Sequence, residues 1–330
     1  MGPCASRLIL LEKRLMTAVP ERVGAAAVSA PARRHRRGRA RVIRDVSHWM
    51  FLVPAVAFVG VFFGYPIVKN VVMSFQDYTT KTFFTGAAPW VGLQNYRTVI
   101  TGSLFSTSLL NTALFTVGSI VLQFSIGLAL ALFFRRNFPL GGFLRGLLLL
   151  PWLLPMIASS AVWKWMLDQE NGALNQFLGL FGVPAVPWLV SPHLALIAVI
   201  GVNVWLGIPF NTTILYSGLQ GVPDELYEAA ALDGAIGVRA FRYITWRSIR
   251  PVVSVVIVLG VVYTLKVVDI ILGLTNGGPA NSTQTLATNA YQESFVNFQF
   301  GIGAAVSNVL IVVSLVFAFL YLAISRREVD

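Results

Sequence analysis

The chain of 330 residues is 56% hydrophobic and only 12% charged, with a mean hydropathy of +0.71, which excludes an ordinary soluble protein, where about a quarter of residues carry charge. The net charge of +11 does not read as a nucleic-acid surface, because the arginines cluster beside the first apolar stretch, where a basic flank orients a membrane protein. The one cysteine, Cys4, excludes an internal disulfide, and His35, His48 and His193 stand too far apart to form a metal set.

Residues 1–48 read as a basic, disordered cytoplasmic tail. "RRHRRGRARVIR" at 33–44 holds seven arginines. "MGPCAS" formally fits a myristoylation pattern and is read as a chance match; Met16 is an alternative start. "LILLEKRL" is too short and too soon charged for a cleavable signal peptide.

Six apolar stretches follow, at about Trp49–Met73, Leu109–Phe134, Phe143–Met166, Leu194–Ser217, Val252–Gly273 and Ile302–Ile324. Only helices and closed barrels satisfy their backbone in lipid, and these runs are too long and too uniformly apolar for barrel strands. The predicted fold class is therefore all-α: a polytopic membrane protein with six transmembrane helices over residues 49–325. Pro54, Pro66, Pro151, Pro155 and Pro209 are read as kinks within spans. A short cytoplasmic tail, 326–330, closes the chain.

With both termini in the cytoplasm, the inner segments leave only Lys69, Lys81, Arg97, Lys164 and Lys266 of the 25 basic residues outside them. That split favours a plasma-membrane protein with both ends inside. Trp90, Trp163, Trp165 and Trp188 then fall near the outer ends, as interfacial aromatics do. The outer loops, about 74–108, 167–193 and 274–301, are too short for an extracellular domain. Solute recognition is left to a membrane cavity or a separate protein.

The inner segment 219–250 reads as two short helices. Pro223 suits a first helical position, Asp224 and Glu225 complement the helix dipole, and "LYEAAAL" is strongly helix-forming. Gly234 and Gly237 permit a sharp bend. Over Val238–Ile249, Arg239, Arg242 and Arg250 fall on one side, and Val238, Phe241, Ile244 and Ile249 on the other. Such a helix fits an inner membrane surface. The acids of the first helix fit lipid poorly and suit a partner's groove, so both readings stand.

"EAAALDGA" resembles the EAA motif of permease subunits of bacterial ABC importers: Glu-Ala-Ala, three residues, Gly, nine residues, Ile-x-Leu-Pro. Glu228, Ala229, Ala230, Gly234 and Ile244 match at that spacing, while Trp246 and Arg247 replace the usual Leu-Pro. "WVGLQNY" (90–96), "NTALFTV" (111–117), "LPWLLP" (150–155), "NVWLGIPF" (203–210) and "LTNGGP" (274–279) resemble the maltose-type carbohydrate branch. The resemblance implies that 223–250 are coupling helices seated in an ATPase cleft. Glu228, Ala229, Ala230, Asp233, Gly234, Arg239 and Ile244 would carry the coupling. It also implies a second homologous permease subunit, an ATPase dimer that binds ATP and Mg, and an extracytoplasmic solute-binding protein that docks at Thr275, Asn276, Gly277, Gly278 and Pro279. This chain itself would hold no cofactor and catalyse nothing. It has no G-x-x-x-x-G-K-[ST] loop to cradle a phosphate.

Polar groups inside apolar spans are functional candidates. The fourth span offers Asn203 and Trp205, and the fifth Tyr263, Thr264, Lys266 and Asp269. Aligned through the EAA segment, the resemblance places Asn203, Leu206, Gly207, Phe210, Tyr263, Thr264 and Val267 in the sugar pocket. Lys266 and Asp269, three apart on one helix, are expected to neutralise each other. The implied solute is a disaccharide or short oligosaccharide, with glycerol-3-phosphate as an alternative. The absence of arginine from the spans leans towards a neutral sugar. An ion- or proton-coupled carrier would want an inverted repeat and a titratable relay, and neither is visible. A membrane enzyme lacks its catalytic constellation.

Overall fold

The computed structural model describes residues 52–136 and 138–326. The predicted tail at 1–48 and residues 327–330 lie outside them. The chain divides into two compact units between Val61 and Phe62. The described part of the first is the opening of one helix; the packing below is that of the second. No β-strand occurs among the described residues; isolated bridges join Gln76 to Trp90 and Thr79 to Gln299.

Five helices are long and apolar enough to cross a membrane: α1 (Leu52–Ser74), α4 (Ser103–Phe134), α8 (Pro192–Gln220), α10 (Val238–Leu265) and the start of α13 (Phe300–Arg326). α5 (Gly141–Leu153) and α6 (Met156–Met166) meet at 96° and make a sixth crossing if the bent pair is taken as one span. Short helices fill the loops: α2 (Thr80–Thr85), α3 (Gln94–Thr101), α7 (Ala173–Gly179), α9 (Asp224–Leu232), α11 (Asp269–Leu274) and α12 (Leu286–Tyr291).

The 96° elbow goes beyond the kink expected of Pro151 and Pro155. Pro155 has no N–H to offer the ladder, and its ring forces the preceding residue out of the helical region. Leu154 is accordingly extended, at φ −77° and ψ 140°. A second difference concerns the fifth span. The predicted separate helix at 238–249 is instead the first part of α10, which runs through Pro251 to Leu265 with a π turn at Phe241–Thr245. In a helix bundle, neighbouring groups satisfy what proline frees. With arginine rather than proline at 247, that residue keeps its N–H. Pro223 caps α9 rather than opening it. The fifth span also ends earlier than predicted: the helix stops at Leu265, and α11 begins anew at Asp269.

α4 carries its polar residues in a stripe. Ser108, Thr112, Thr116, Ser119 and Gln123 recur every three or four residues, and all are buried. Polar groups are costly against lipid, so that face turns inward. It packs on α8 in parallel. Gln123 Nε2 donates to the Asn203 carbonyl (2.9 Å), and one turn on, Gly127 lies against Asn211. α10 runs antiparallel to both, with Val252 over Gly218 at one end and the Tyr263 ring 6.0 Å from Phe210 further along. α13 is tied to the end of α1 by amides. Asn70 donates to Asn308 (2.8 Å), which donates to the Tyr96 hydroxyl (2.9 Å).

Besides the cluster of Val99, Leu286, Ala290, Ala305 and Val306 where α3 and α12 meet α13, two apolar cores hold the central helices. One, towards the end carrying α11, holds Phe115, Val199, Val202, Ile270 and Ile271. The other, at the end carrying Arg135 and Arg145, holds Ala131, Leu215, Leu219, Ile249 and Val253.

Candidate functional site: a polar cavity and a bent turn

Between α4, α8 and α10, with the α5–α6 elbow at its side, lies a cavity of about 510 Å³, within the ordinary range for small-ligand sites. The residues predicted for the solute pathway all line it: Asn203, Leu206, Gly207 and Phe210 from α8, Tyr263 and Thr264 from α10, and Val267 just beyond. They differ in access. Tyr263 is half exposed, whereas Leu206 and Val267 are mostly sunk into the adjoining core.

Asn203 is 6% exposed, and its side-chain Nδ2 finds no hydrogen-bond partner within the protein. Leaving a buried donor unmade costs about 1–3 kcal/mol. Gly207 lines the cavity as predicted and also makes room within its wall. An added Cβ there would overlap the Gln123 amide, so glycine lets that side chain lie across α8. Sequence reasoning missed Gln123, Trp152 and Asn211 in the wall. The polar stripe of α4 was the available signal for the first. Trp152 arrives only because the elbow swings it in, 6.2 Å from the Phe210 ring.

Lys266 and Asp269 correct the sequence reading. They line the cavity but form no ion pair with each other. The helix breaks between them, so the three-residue spacing no longer stacks them on one face. Lys266 Nζ stands 4.7 Å from the centre of the Tyr263 ring instead, a cation–π contact.

At the end carrying Arg135, the chain bends between α9 and α10. The N–H of Ala235 donates to the Ala230 carbonyl (2.8 Å) and that of Gly234 to Ala231 (3.0 Å). This pair of bonds is a Schellman closure, with the residue after the cap left-handed. Gly234 supplies that geometry at φ +73°, and Gly237 also has a positive φ, +59°, but with ψ −121°, outside the left-handed helical region. The predicted coupling residues fall on both sides of this turn. Glu228, Ala229, Asp233 and Arg239 are exposed, Ala230 is buried against its own closure, and Ile244 packs on the core below.

The bend also exposes Leu232 (91%), Ile236 (70%) and Val238 (81%). The first two were not singled out from sequence. Val238 was placed with the apolar side of its helix, but only Ile249 on that side is fully buried. The turn is held to the bundle at its base. Arg135, at the end of α4, contacts Asp224 at 3.2 Å and lies 4.1 Å from the Tyr227 ring centre. The Tyr227 hydroxyl bonds Thr245 in the π turn of α10 (2.8 Å). Beside it, Arg145 donates to Tyr216 of α8.

Residues 123–329 match the family described as "Binding-protein-dependent transport system inner membrane component". The chain belongs to that family of membrane permeases. The trehalose/maltose transport system permease MalF of Thermococcus litoralis is 34% identical over 283 residues, covering 86% of this chain and 94% of that one. The diacetylchitobiose uptake system permease DasB of Streptomyces coelicolor is 31% identical over 287 residues, covering 85% and 87%. In fold, this permease is similar to a chain of a bacterial ABC transporter that imports the polysaccharide alginate, with a TM-score of 0.77 and 21% identity, covering 89% of this chain and 100% of that one.

The family match opens at Gln123, the α4 residue that reaches the cavity, and takes in both the turn and the wall from α8 and α10. At the opposite end of the permease, the residues predicted for docking fold into a tight loop. Thr275 and Thr283 bond through their hydroxyls (2.7 Å), and Thr283 donates to the Gly278 carbonyl (2.8 Å). Gly277 is buried, Thr275, Gly278 and Pro279 are half-buried, and Asn276 is exposed. The face this loop presents is Asn276 with Ala280 and Asn281 rather than the glycine pair.

Proposed function

We propose that this permease is one half of the translocation pathway of an ATP-driven carbohydrate importer working by alternating access. The observation that carries the reading is the buried, unpartnered Asn203 amide in a wall that mixes amides with Trp152, Phe210 and Tyr263. Sugars present both hydroxyls and C–H faces, and amides and aromatic rings answer to these respectively. The names of the trehalose/maltose and diacetylchitobiose uptake relatives support the same class.

In this reading both termini lie in the cytoplasm, and the α9–α10 turn inserts into a separate ATPase dimer, which binds ATP and Mg. The residues carrying the coupling are Glu228, Ala229, Ala230, Asp233, Gly234, Arg239 and Ile244. A second homologous permease completes the pathway. An extracytoplasmic binding protein docks at the loop around Thr275–Pro279 and delivers the sugar. Lys266 in the cavity wall favours a second reading, an anionic solute such as glycerol-3-phosphate; Asp269 in the same wall opposes it.

Uptake into proteoliposomes by the complex co-purified with its ATPase tests both. Transport of neutral di- or trisaccharides, with KM raised about ten-fold in Asn203→Leu, is the expected result. Uptake confined to glycerol-3-phosphate, or uptake without an ATPase, would sink the carbohydrate reading.

A further inference from the structure

Among the residues lining the cavity beside Asn203, Lys266 and Asp269 are the charged ones, and both are exposed rather than sunk into the adjoining core. On a continuous helix, opposite charges three residues apart would pair. The backbone prevents this. α10 stops at Leu265, the N–H of Val267 turns back to the Thr264 carbonyl (3.1 Å), and α11 begins anew at Asp269. The flanks of this break are buried: Leu265 and Val267 on either side of Lys266, and Ile270 and Ile271 after Asp269. An added Cβ at Gly273 would overlap Ser160 of α6, so α11 is seated closely on its neighbour. The backbone that presents the two charges is thus fixed by packing and keeps them from neutralising each other.

Their surroundings differ. Lys266 Nζ stands 4.7 Å from the centre of the Tyr263 ring, and that ring meets Phe210 at 6.0 Å. The ammonium therefore sits on the aromatic part of the wall. Among the described residues, the Asp269 carboxylate has neither an ion pair nor a hydrogen bond. A charge is costly against hydrocarbon, so lipid tails do not suit this part of the wall, whereas a polar solute does. The ammonium offers donors and the carboxylate acceptors, and a hydroxyl group can answer either. A charged solute fares worse. It gives up its hydration on entry, and a wall holding one charge of each sign gives it no net opposite charge in return.

We infer that Lys266 and Asp269 set the charge specificity of the cavity. Together they admit an uncharged polyhydroxyl solute, and each weights the site against solutes of its own sign. The inference rests on the carbohydrate reading and narrows it to neutral sugars.

The test is competition for binding at the assembled permease–ATPase complex in detergent. Radiolabelled maltose and diacetylchitobiose are the tracers, and no binding protein is present, so delivery plays no part. The competitors are each unlabelled sugar and its derivatives carrying an amine or a carboxylate at carbon 6 of one ring. The wild-type complex should prefer the neutral sugar to both derivatives. Lys266→Met leaves the acid alone in the wall and should raise the affinity of the amine, relative to the neutral sugar, by about ten-fold, the scale of one unscreened charge in a cavity. Asp269→Asn, which keeps the size of the side chain, should do the same for the carboxylate. The double variant should return both ratios towards the wild type. A merely structural role would weaken all three sugars alike and leave the ratios where they were. Ratios unchanged in the assembled variants, or moved in the same direction by both, overturn the inference. Asp269→Asn decides the matter if Lys266→Met fails to assemble. Failure of the wild-type complex to bind either tracer removes the carbohydrate reading and this inference with it, a result visible before any variant is compared.

Discussion

The turn between α9 and α10 and the cavity between α4, α8 and α10 solve opposite problems. In the turn, the bonds span few residues, from Ala235 to Ala230 and from Gly234 to Ala231, and apolar side chains are pushed outward. In the cavity, contacts cross long stretches of chain, Gln123 to Asn203 and Phe210 to Tyr263, and a polar amide is held inward without a partner. Each is the reverse of a finished surface. Exposed Leu232, Ile236 and Val238 fit a protein groove, since isolated apolar patches mark interaction sites. A buried unmet donor fits a polar solute. In the proposed reading, what each region lacks is supplied by its partner.

That contrast can be broken hardest at the turn. Gly234→Pro fixes φ near −65° where the chain needs a positive value, and Glu228→Lys reverses the charge of an exposed face. Either should reduce uptake to background while the protein still inserts into the membrane, checked by flotation and blotting. Next in size is Gly207→Val, whose side chain displaces Gln123; uptake should fall by roughly ten- to hundred-fold, as misplaced site groups do. Adding Gln123→Ala should recover part of the loss, because the two effects share one contact.

Asn203→Leu separates the regions more finely. Removing an unmet buried donor relieves about 1–3 kcal/mol, so the apparent melting temperature of the detergent-solubilised complex should rise while KM for the sugar increases about ten-fold. A fall in both stability and transport would mean that Asn203 is structural. The smallest effect belongs to Arg135→Ala. The guanidinium is partly exposed and Asp224 largely so, and such pairs contribute little to stability. Losing its contact with Tyr227 should lower sugar-stimulated ATP hydrolysis only a few-fold.

The six spans were legible because long apolar runs have few alternatives in lipid. The turn was legible for the same local reason: acids after Pro223, alanines, then Gly234 at the closing position. The elbow was not. Proline inside a span can kink, break or pass unnoticed, and here Pro155 breaks while Pro209 and Pro251 sit within continuous helices. The pairing of Lys266 with Asp269 failed because it assumed an unbroken helix, and where a helix stops depends on packing that the local spacing does not encode. The wall contributed by α8 and α10 could be read through one motif register. Gln123 and Trp152 come from other elements and needed the folded arrangement, although the buried stripe from Ser108 to Gln123 was already written at helical spacing.

The claim that one chain joins a solute cavity to an ATPase plug is tested most directly by ATP hydrolysis in the reconstituted complex, with and without the sugar-loaded binding protein. The account predicts that Gly234→Pro leaves the complex assembled and its basal hydrolysis measurable, but abolishes the stimulation by sugar. Full stimulation in that variant would contradict it.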